Sequence, residues 1–220
     1  MPSRTRIKVC GMTDQAKALA IAALGVDALG FIFVAASPRC IEVEKARAII
    51  AALPPFIHAV GVFLDEEAAQ VNAIACACGL TMIQLHGHET PDYCRAMHRP
   101  VLKAFRVREE APPDLAPYQH AVKGFLLDTY RQGQAGGTGE AFNWELTKRI
   151  ALPGPLILAG GLTPDNVAAA IRQAHPFAVD INSGVEISPG HKDLGLIRQL
   201  IAEVKQADCD HTPFAPPPTK

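Results

Sequence analysis

Apolar residues along this chain fall into two alternating rhythms. Short runs rich in aliphatic and β-branched residues predict strands at Ile7–Cys10, Ala28–Val34, Ala59–Leu64, Met82–His86, Val101–Val107, Gly124–Thr129, Leu156–Ala159 and Ala178–Asn182. Between them lie amphipathic stretches that predict helices, among them Gln15–Leu24, Val43–Leu53, Ala68–Cys78, Asn166–Ala174 and Leu194–Lys205. In the last of these Leu194, Ile197, Ile201 and Val204 repeat at the 3.6-residue period that puts them on one helical face. Strand and helix alternating from end to end predict a parallel sheet covered by helices. With eight strands, closure into a single-domain α/β (β/α)8 TIM barrel leaves no sheet edge and gathers functional residues at the C-terminal strand ends.

Two places break the rhythm. A fifth helix belongs near Ala111–His120, but Pro112, Pro113 and Pro117 deny it backbone donors, so it is expected to be degraded. The sixth strand runs into a long Gly-rich stretch, Tyr130–Phe142, of the kind that serves as a lid or binding loop. The barrel is expected to occupy residues 1-207, with 208-220 forming a Pro-rich tail too poor in apolar residues to pack.

The composition narrows the function. Hydrophobic residues make up 49% of the 220, enough for one large core, and the net charge of -1 comes from scattered rather than clustered cations. No basic stripe suits nucleic acid, and no apolar run is long enough for a membrane, so neither is expected as a partner. A cytoplasmic protein is expected, because Met1–Arg6 contain no apolar signal segment, and a monomer or weak homodimer is the expected state. The six cysteines form no CxxC pair. Cys76 and Cys78 look like half a zinc site, but at i and i+2 of a helix they face different ways, and no metal or other cofactor is expected.

Strand seven ends in Ala159-Gly160-Gly161-Leu162-Thr163-Pro164, where paired glycines let backbone N–H groups approach a ligand. Thr163 is placed to cap the next helix with Pro164 at its first position. One βα unit later comes Asp180-Ile181-Asn182-Ser183-Gly184-Val185-Glu186, in which Ser183 and Glu186 have capping-box spacing and predict a short extra helix. Loops after strands seven and eight commonly build a barrel's phosphate site, so Gly160, Gly161, Ser183 and Gly184 are the phosphate candidates.

These segments belong to a longer ordered set. Lys8-Val9-Cys10-Gly11-Met12-Thr13, Gly30-Phe31-Ile32-Phe33, Ser37-Pro38-Arg39, Gln84-Leu85-His86-Gly87, Leu126-Leu127-Asp128 and Gly136-Gly137-Thr138-Gly139 precede the two glycine loops. Together, from about Ile7 to Val204, they resemble the signature of the phosphoribosylanthranilate isomerase family in order and spacing. The sequence departs from the family pattern at Val34-Ala35, Cys40 and Asn182. The resemblance implies a cofactor-free Amadori rearrangement of a phosphorylated sugar amine. It makes Cys10 the general base and Asp128 the general acid, and gives Arg39 the anthranilate carboxylate. Gln84, His86, Gly137 and Asp180 would line the substrate, and the glycine loops would hold the phosphate.

The residues suit that chemistry. A carboxyl group that donates a proton near neutral pH needs desolvation or nearby negative charge, and Asp128 ends the apolar run Phe125-Leu126-Leu127. A thiol acting as base needs activation, and Lys8, two residues before Cys10 on one strand face, lowers the thiol pKa provided no other charge neutralises it. Asp180 has inward parity on strand eight, where it either receives a sugar hydroxyl or plays a structural part. Three other readings compete. His86-Gly87-His88 could begin a hydrolase metal site. Another phosphosugar barrel, such as the histidine-pathway Amadori isomerase, would resemble a two-aspartate design instead of Cys10 and Asp128. A non-catalytic phosphate-ligand binder would need neither residue.

Overall fold

A computed structural model describes residues 4–107, 114–128, 147 and 150–210. Eight parallel strands close into a barrel in sequence order: β1 (Arg6–Val9), β2 (Ala28–Ile32), β3 (His58–Phe63), β4 (Met82–Leu85), β5 (Val101–Arg106), β6 (Gly124–Asp128), β7 (Leu156–Ala159) and β8 (Ala178–Ile181). Closure is made by β1 on β8, with Lys8 opposite Asp180 and Val9 opposite Ile181. Outside lie α1 (Gln15–Ala22), α2 (Val43–Ala51), α3 (Ala68–Cys78), α4 (Pro91–Arg95), α5 (Val167–Ala174) and α6 (Leu194–Asp210). Among the described residues no helix is long and apolar enough to cross a membrane.

All eight expected strands are present, and most stop one or two residues earlier than their apolar patterns. The pattern continues past the last paired residue because the chain keeps its alternation while leaving the sheet at the barrel mouth. Alternation also sorts the side chains into two cores. One set, with Phe31, Phe63, Ile83, Leu85, Leu158 and Val179, meets the helices. The other, with Val60, Leu102, Ala104, Leu126, Ile157, Ala159 and Ala178, fills the barrel. Above that plug, Cys10, Ile32 and Val62 form a small apolar cluster.

Several local expectations change. The proline-rich stretch carries only a 3-10 turn at Ala116–Tyr118 where a fifth helix would stand, while residues 108–113 lie outside the described residues. The expected lid, Tyr130–Phe142, with Gly137, lies wholly outside them too. The final helix runs on to Asp210, past the expected boundary at residue 207. Asp208 is part of it: its carboxylate accepts from Thr5 N at 2.8 Å and Thr5 Oγ1 at 2.7 Å, tying the last helix to the first strand. The rest of the expected tail, 211–220, lies outside the described residues. Cys76 is exposed and Cys78 buried, so the two thiols do face apart.

The helix expected to start at Thr163-Pro164 begins at Val167 instead. Asn166 occupies the loop, its Oδ1 accepting from Thr163 N at 2.8 Å and its Nδ2 donating to Gly161 O at 3.0 Å. The extra helix expected at Ser183 is a single 3-10 turn, Ser183–Val185, followed by a hairpin of β9 (Glu186–Ser188) and β10 (His191–Lys192). The capping box does not form. The Glu186 carboxylate turns to two cations, Arg39 and Lys192, which outweigh one backbone N–H.

Candidate active site

The site gathers where the strands release the chain. Cys10 follows β1, its N–H still bound to Ile181 O at 2.8 Å, and its side chain packs with Ile32 and Val62. Room for the sulfur depends on Gly30, since a Cβ there would stand 2.6 Å from Cys10 Sγ. Beneath it Lys8 Nζ meets Asp180 Oδ2 at 2.7 Å, both groups buried in the barrel. That pair corrects the expected thiol activation. Burial pushes the Cys10 thiol above its ordinary range, and Asp180 adds to this, while Lys8 and Lys192 only partly oppose it. Lys8 loses to burial but gains more from Asp180 and Cys10, so its ammonium is held firmly protonated.

Asp128 ends β6 with its side chain about one-fifth exposed. His86, just beyond β4, reaches over β5 to place Nε2 3.3 Å from Asp128 Oδ2. The other ring nitrogen, Nδ1, faces Gln84 Nε2 at 3.4 Å. With the Gln84 amide oriented as it stands, Nδ1 is the acceptor, so Nε2 carries the hydrogen on the side that faces the Asp128 carboxylate. The turn carrying His86 is pinned from beneath. Lys103 Nζ bonds Leu85 O at 3.3 Å and Gly87 O at 2.8 Å and pairs with Glu89 Oε2 at 3.1 Å. Glu89 in turn accepts from Gly87 N and Asp65 N.

Two acceptors inside the barrel, Gln84 Oε1 and Asp180 Oδ1, are buried without a hydrogen-bond partner among the described residues. Buried polar atoms are nearly always satisfied, and a ligand bearing hydroxyl groups would satisfy both. Arg39 lies over Gly11, whose φ of +80° and missing Cβ leave space for the Arg39 Cδ. Its guanidinium is bound to Glu186, which raises its pKa further and opposes the cost of burial.

The glycine loops meet on the adjoining rim. Gly160 and Gly161 both adopt positive φ, +95° and +63°, and Gly161 has open space where a side chain would project. A Cβ on Gly184 would fall 1.9 Å from Leu162 O, so only glycine lets the second loop close against the first. Ser183 opens the 3-10 turn beside it. Of the expected site residues only Gly137 lies outside the described residues. Sequence reasoning missed Glu186 as the partner of Arg39, Lys192 as the second cation on Glu186, and Lys103 with Glu89 beneath His86. Lys103 alternates with inward-facing core residues and gave no sign of a distant acid. His88 is exposed and pairs with Asp65, away from His86, and no cluster of three metal-ligating side chains exists among the described residues.

This arrangement defines a class: a (β/α)8-barrel enzyme whose thiol, carboxyl, imidazole and glycine loops gather at the C-terminal ends of the strands. Residues 7–203 match the family model described as N-(5'phosphoribosyl)anthranilate (PRA) isomerase. An N-(5'-phosphoribosyl)anthranilate isomerase of Pelobacter propionicus is 46% identical, covering 94% of this chain and 99% of that protein. One from Pseudomonas putida is 48% identical over 93% of this chain and 100% of its own length. The crystal structure of phosphoribosyl anthranilate isomerase from Thermotoga maritima superposes with a TM-score of 0.82 at 39% identity, covering 92% of this chain and 99% of that one. A further isomerase structure at 38% identity, TM-score 0.80 and the same coverage, is a complex with reduced 1-(o-carboxyphenylamino)-1-deoxyribulose 5-phosphate. The chain belongs to the N-(5'-phosphoribosyl)anthranilate isomerase family.

Proposed function

We propose that this chain converts N-(5'-phosphoribosyl)anthranilate into 1-(2-carboxyphenylamino)-1-deoxyribulose 5-phosphate, an Amadori rearrangement in tryptophan biosynthesis. The observation that carries the reading is the mouth itself. Cys10 just past β1 and Asp128 closing β6 beside His86 both stand at the C-terminal ends of their strands, and two buried acceptors, Gln84 Oε1 and Asp180 Oδ1, have no partner among the described residues. Cys10 is a free thiol, as a general base at that position requires.

Asp128 delivers a proton to the furanose oxygen as the bond from that oxygen to C1' breaks. The anthranilate nitrogen lone pair moves in to form the C1'=N bond, leaving a protonated Schiff base. Cys10, as thiolate, then removes the C2' proton, and the electron pair moves to C1' while the C=N electrons return to nitrogen. The resulting enolamine tautomerises to the 2-ketone by protonation at C1'. A thiol held above its ordinary range ionises less often, yet each thiolate is a stronger base. The cationic Schiff base formed in the first step lowers the cost of generating it.

Arg39 receives the ring carboxylate, Asp180 and Gln84 accept from sugar hydroxyls, and the amides of Gly160, Gly161, Ser183 and Gly184 hold the phosphate. Gly137 belongs to the same substrate-binding set. The test is optical. Freshly made phosphoribosylanthranilate should lose its fluorescence in the presence of the protein faster than it hydrolyses spontaneously. An unchanged decay refutes the proposal.

A further inference from the structure

Arginine offers five N–H donors in a flat fork, and the edge it presents decides how it grips a carboxylate. In Arg39 the side edge is already taken. Nε donates to Glu186 Oε1 at 2.9 Å and Oε2 at 3.1 Å, and Nη2 donates to Oε2 at 2.6 Å. Glu186 is not a loose surface partner, since its side chain is only 3% exposed. Lys192 Nζ holds its Oε1 at 2.7 Å and Gly190 N reaches the same oxygen at 3.2 Å. Burial raises the Glu186 carboxyl, but Arg39 and Lys192 outweigh that and hold it below the ordinary carboxylate range.

Lys192 cannot serve the ligand. Its other two ammonium hydrogens go to Asn182 O at 2.9 Å and Asn182 Oδ1 at 2.8 Å, so all three donors are occupied. The hairpin carrying both residues is clipped to the first loop by Thr13 Oγ1 on Gly190 O at 3.0 Å. Two cations and one anion leave this cluster with one net positive charge. On the Arg39 side, the donors without an acceptor among the described residues are the Nη1 pair and the second Nη2 hydrogen, and one hydrogen from each nitrogen forms the end of the fork.

We propose that Glu186 is a positioning and specificity residue: by filling the side edge of Arg39 it commits the guanidinium to end-on, two-point recognition of the carboxylate on the substrate's aromatic ring. This rests on the isomerase reading and deepens it. Lys192 supplies the charge that keeps Glu186 from cancelling Arg39 and carries no contact of its own with substrate. Asn182, held by Lys192, walls the same corner, where a Cβ on Gly11 would come 3.0 Å from its Oδ1.

The test compares two reduced product analogues, one bearing the ring carboxylate and one with plain aniline in its place, as competitive inhibitors of the parent and of Glu186→Gln. The parent is expected to prefer the carboxylate analogue. In Glu186→Gln that preference falls by about ten- to hundredfold, as loss of charge-assisted bonds implies, while the aniline analogue binds as before. Glu186→Asp, which keeps the charge, restores part of the preference. Equal weakening of both analogues, or an unchanged preference in folded Glu186→Gln, overturns the proposal. A parent that turns over substrate yet treats the analogues alike also overturns it and leaves the isomerase reading standing. A parent without turnover overturns that reading instead.

Discussion

Gly30→Ala adds one methyl group at the most crowded point of the mouth. The new Cβ would stand 2.6 Å from Cys10 Sγ, 3.0 Å from Cys10 Cα and 3.2 Å from Cys10 Cβ, where ordinary contact is 3.4–4 Å. Sulfur is about 1 Å too close, and turning the Cys10 side chain cannot relieve the backbone contact. Overpacking of this kind costs about 1–3 kcal/mol, against a folding free energy of about 5–15 kcal/mol, so the variant stays folded. A reacting atom misplaced by about 1 Å loses roughly a hundredfold in rate. Steady-state fluorescence kinetics should therefore show kcat down by about that factor with little change in KM. Gly61→Ala is the control: its Cβ would strike the Leu80 Cδ1 at 2.3 Å and the Phe63 ring, both in the outer core. It should lower the urea midpoint without singling out kcat. If Gly30→Ala keeps kcat within threefold of the parent, Cys10 is not held by this contact or does not move the proton.

Other consequences follow from the buried charges. Lys103→Met strands Glu89, both side chains being 2% exposed, and should cost about 3–5 kcal/mol by urea unfolding; a loss below 1 kcal/mol contradicts that pairing. Cys10 is raised by burial, so its alkylation, followed at that residue by mass spectrometry, should have a midpoint above the free-thiol value of about 8.5, and a midpoint at or below it refutes the assignment. The sign is that of a raised group: the thiol's contribution to stability is complete below about pH 8.5 and lost as pH climbs through the folded value. Glu186 has the opposite sign, lowered in the fold, so its contribution is present above about pH 4.3 and disappears as pH falls through the folded value. Glu186→Gln should flatten that acid limb in a pH series of unfolding curves, and an unaltered limb counts against the ion-pair account.

The fold was legible because each strand's alternation and each helix's apolar stripe point to the same two cores. What misled lay where local and distant partners compete. Ser183 and Glu186 have helix-capping spacing, but the distant Arg39 and the nearby Lys192 claim the glutamate. Lys8 sits under Cys10 as parity requires, but Asp180, at the far end of the chain, closes the barrel against it and takes its charge. Thr163 is a good capping residue by type, and Asn166 takes over the loop because its amide reaches both sides of the turn. Candidate site residues could be named where a glycine or a strand end marks them. Residues defined only by the partner they meet in the fold, such as Lys192 on Glu186 and Glu89 on Lys103, carry no such mark.

The central claim is that Cys10 and Asp128 move protons at one shared mouth rather than merely build it. Its most direct measurement is kcat for Cys10→Ala and for Asp128→Asn, taken together with the Kd of the reduced product analogue for each. Each substitution is expected to lower kcat by about 10²–10⁴-fold and leave the analogue's Kd within a few-fold of the parent. Near-parent turnover in either folded variant contradicts the account.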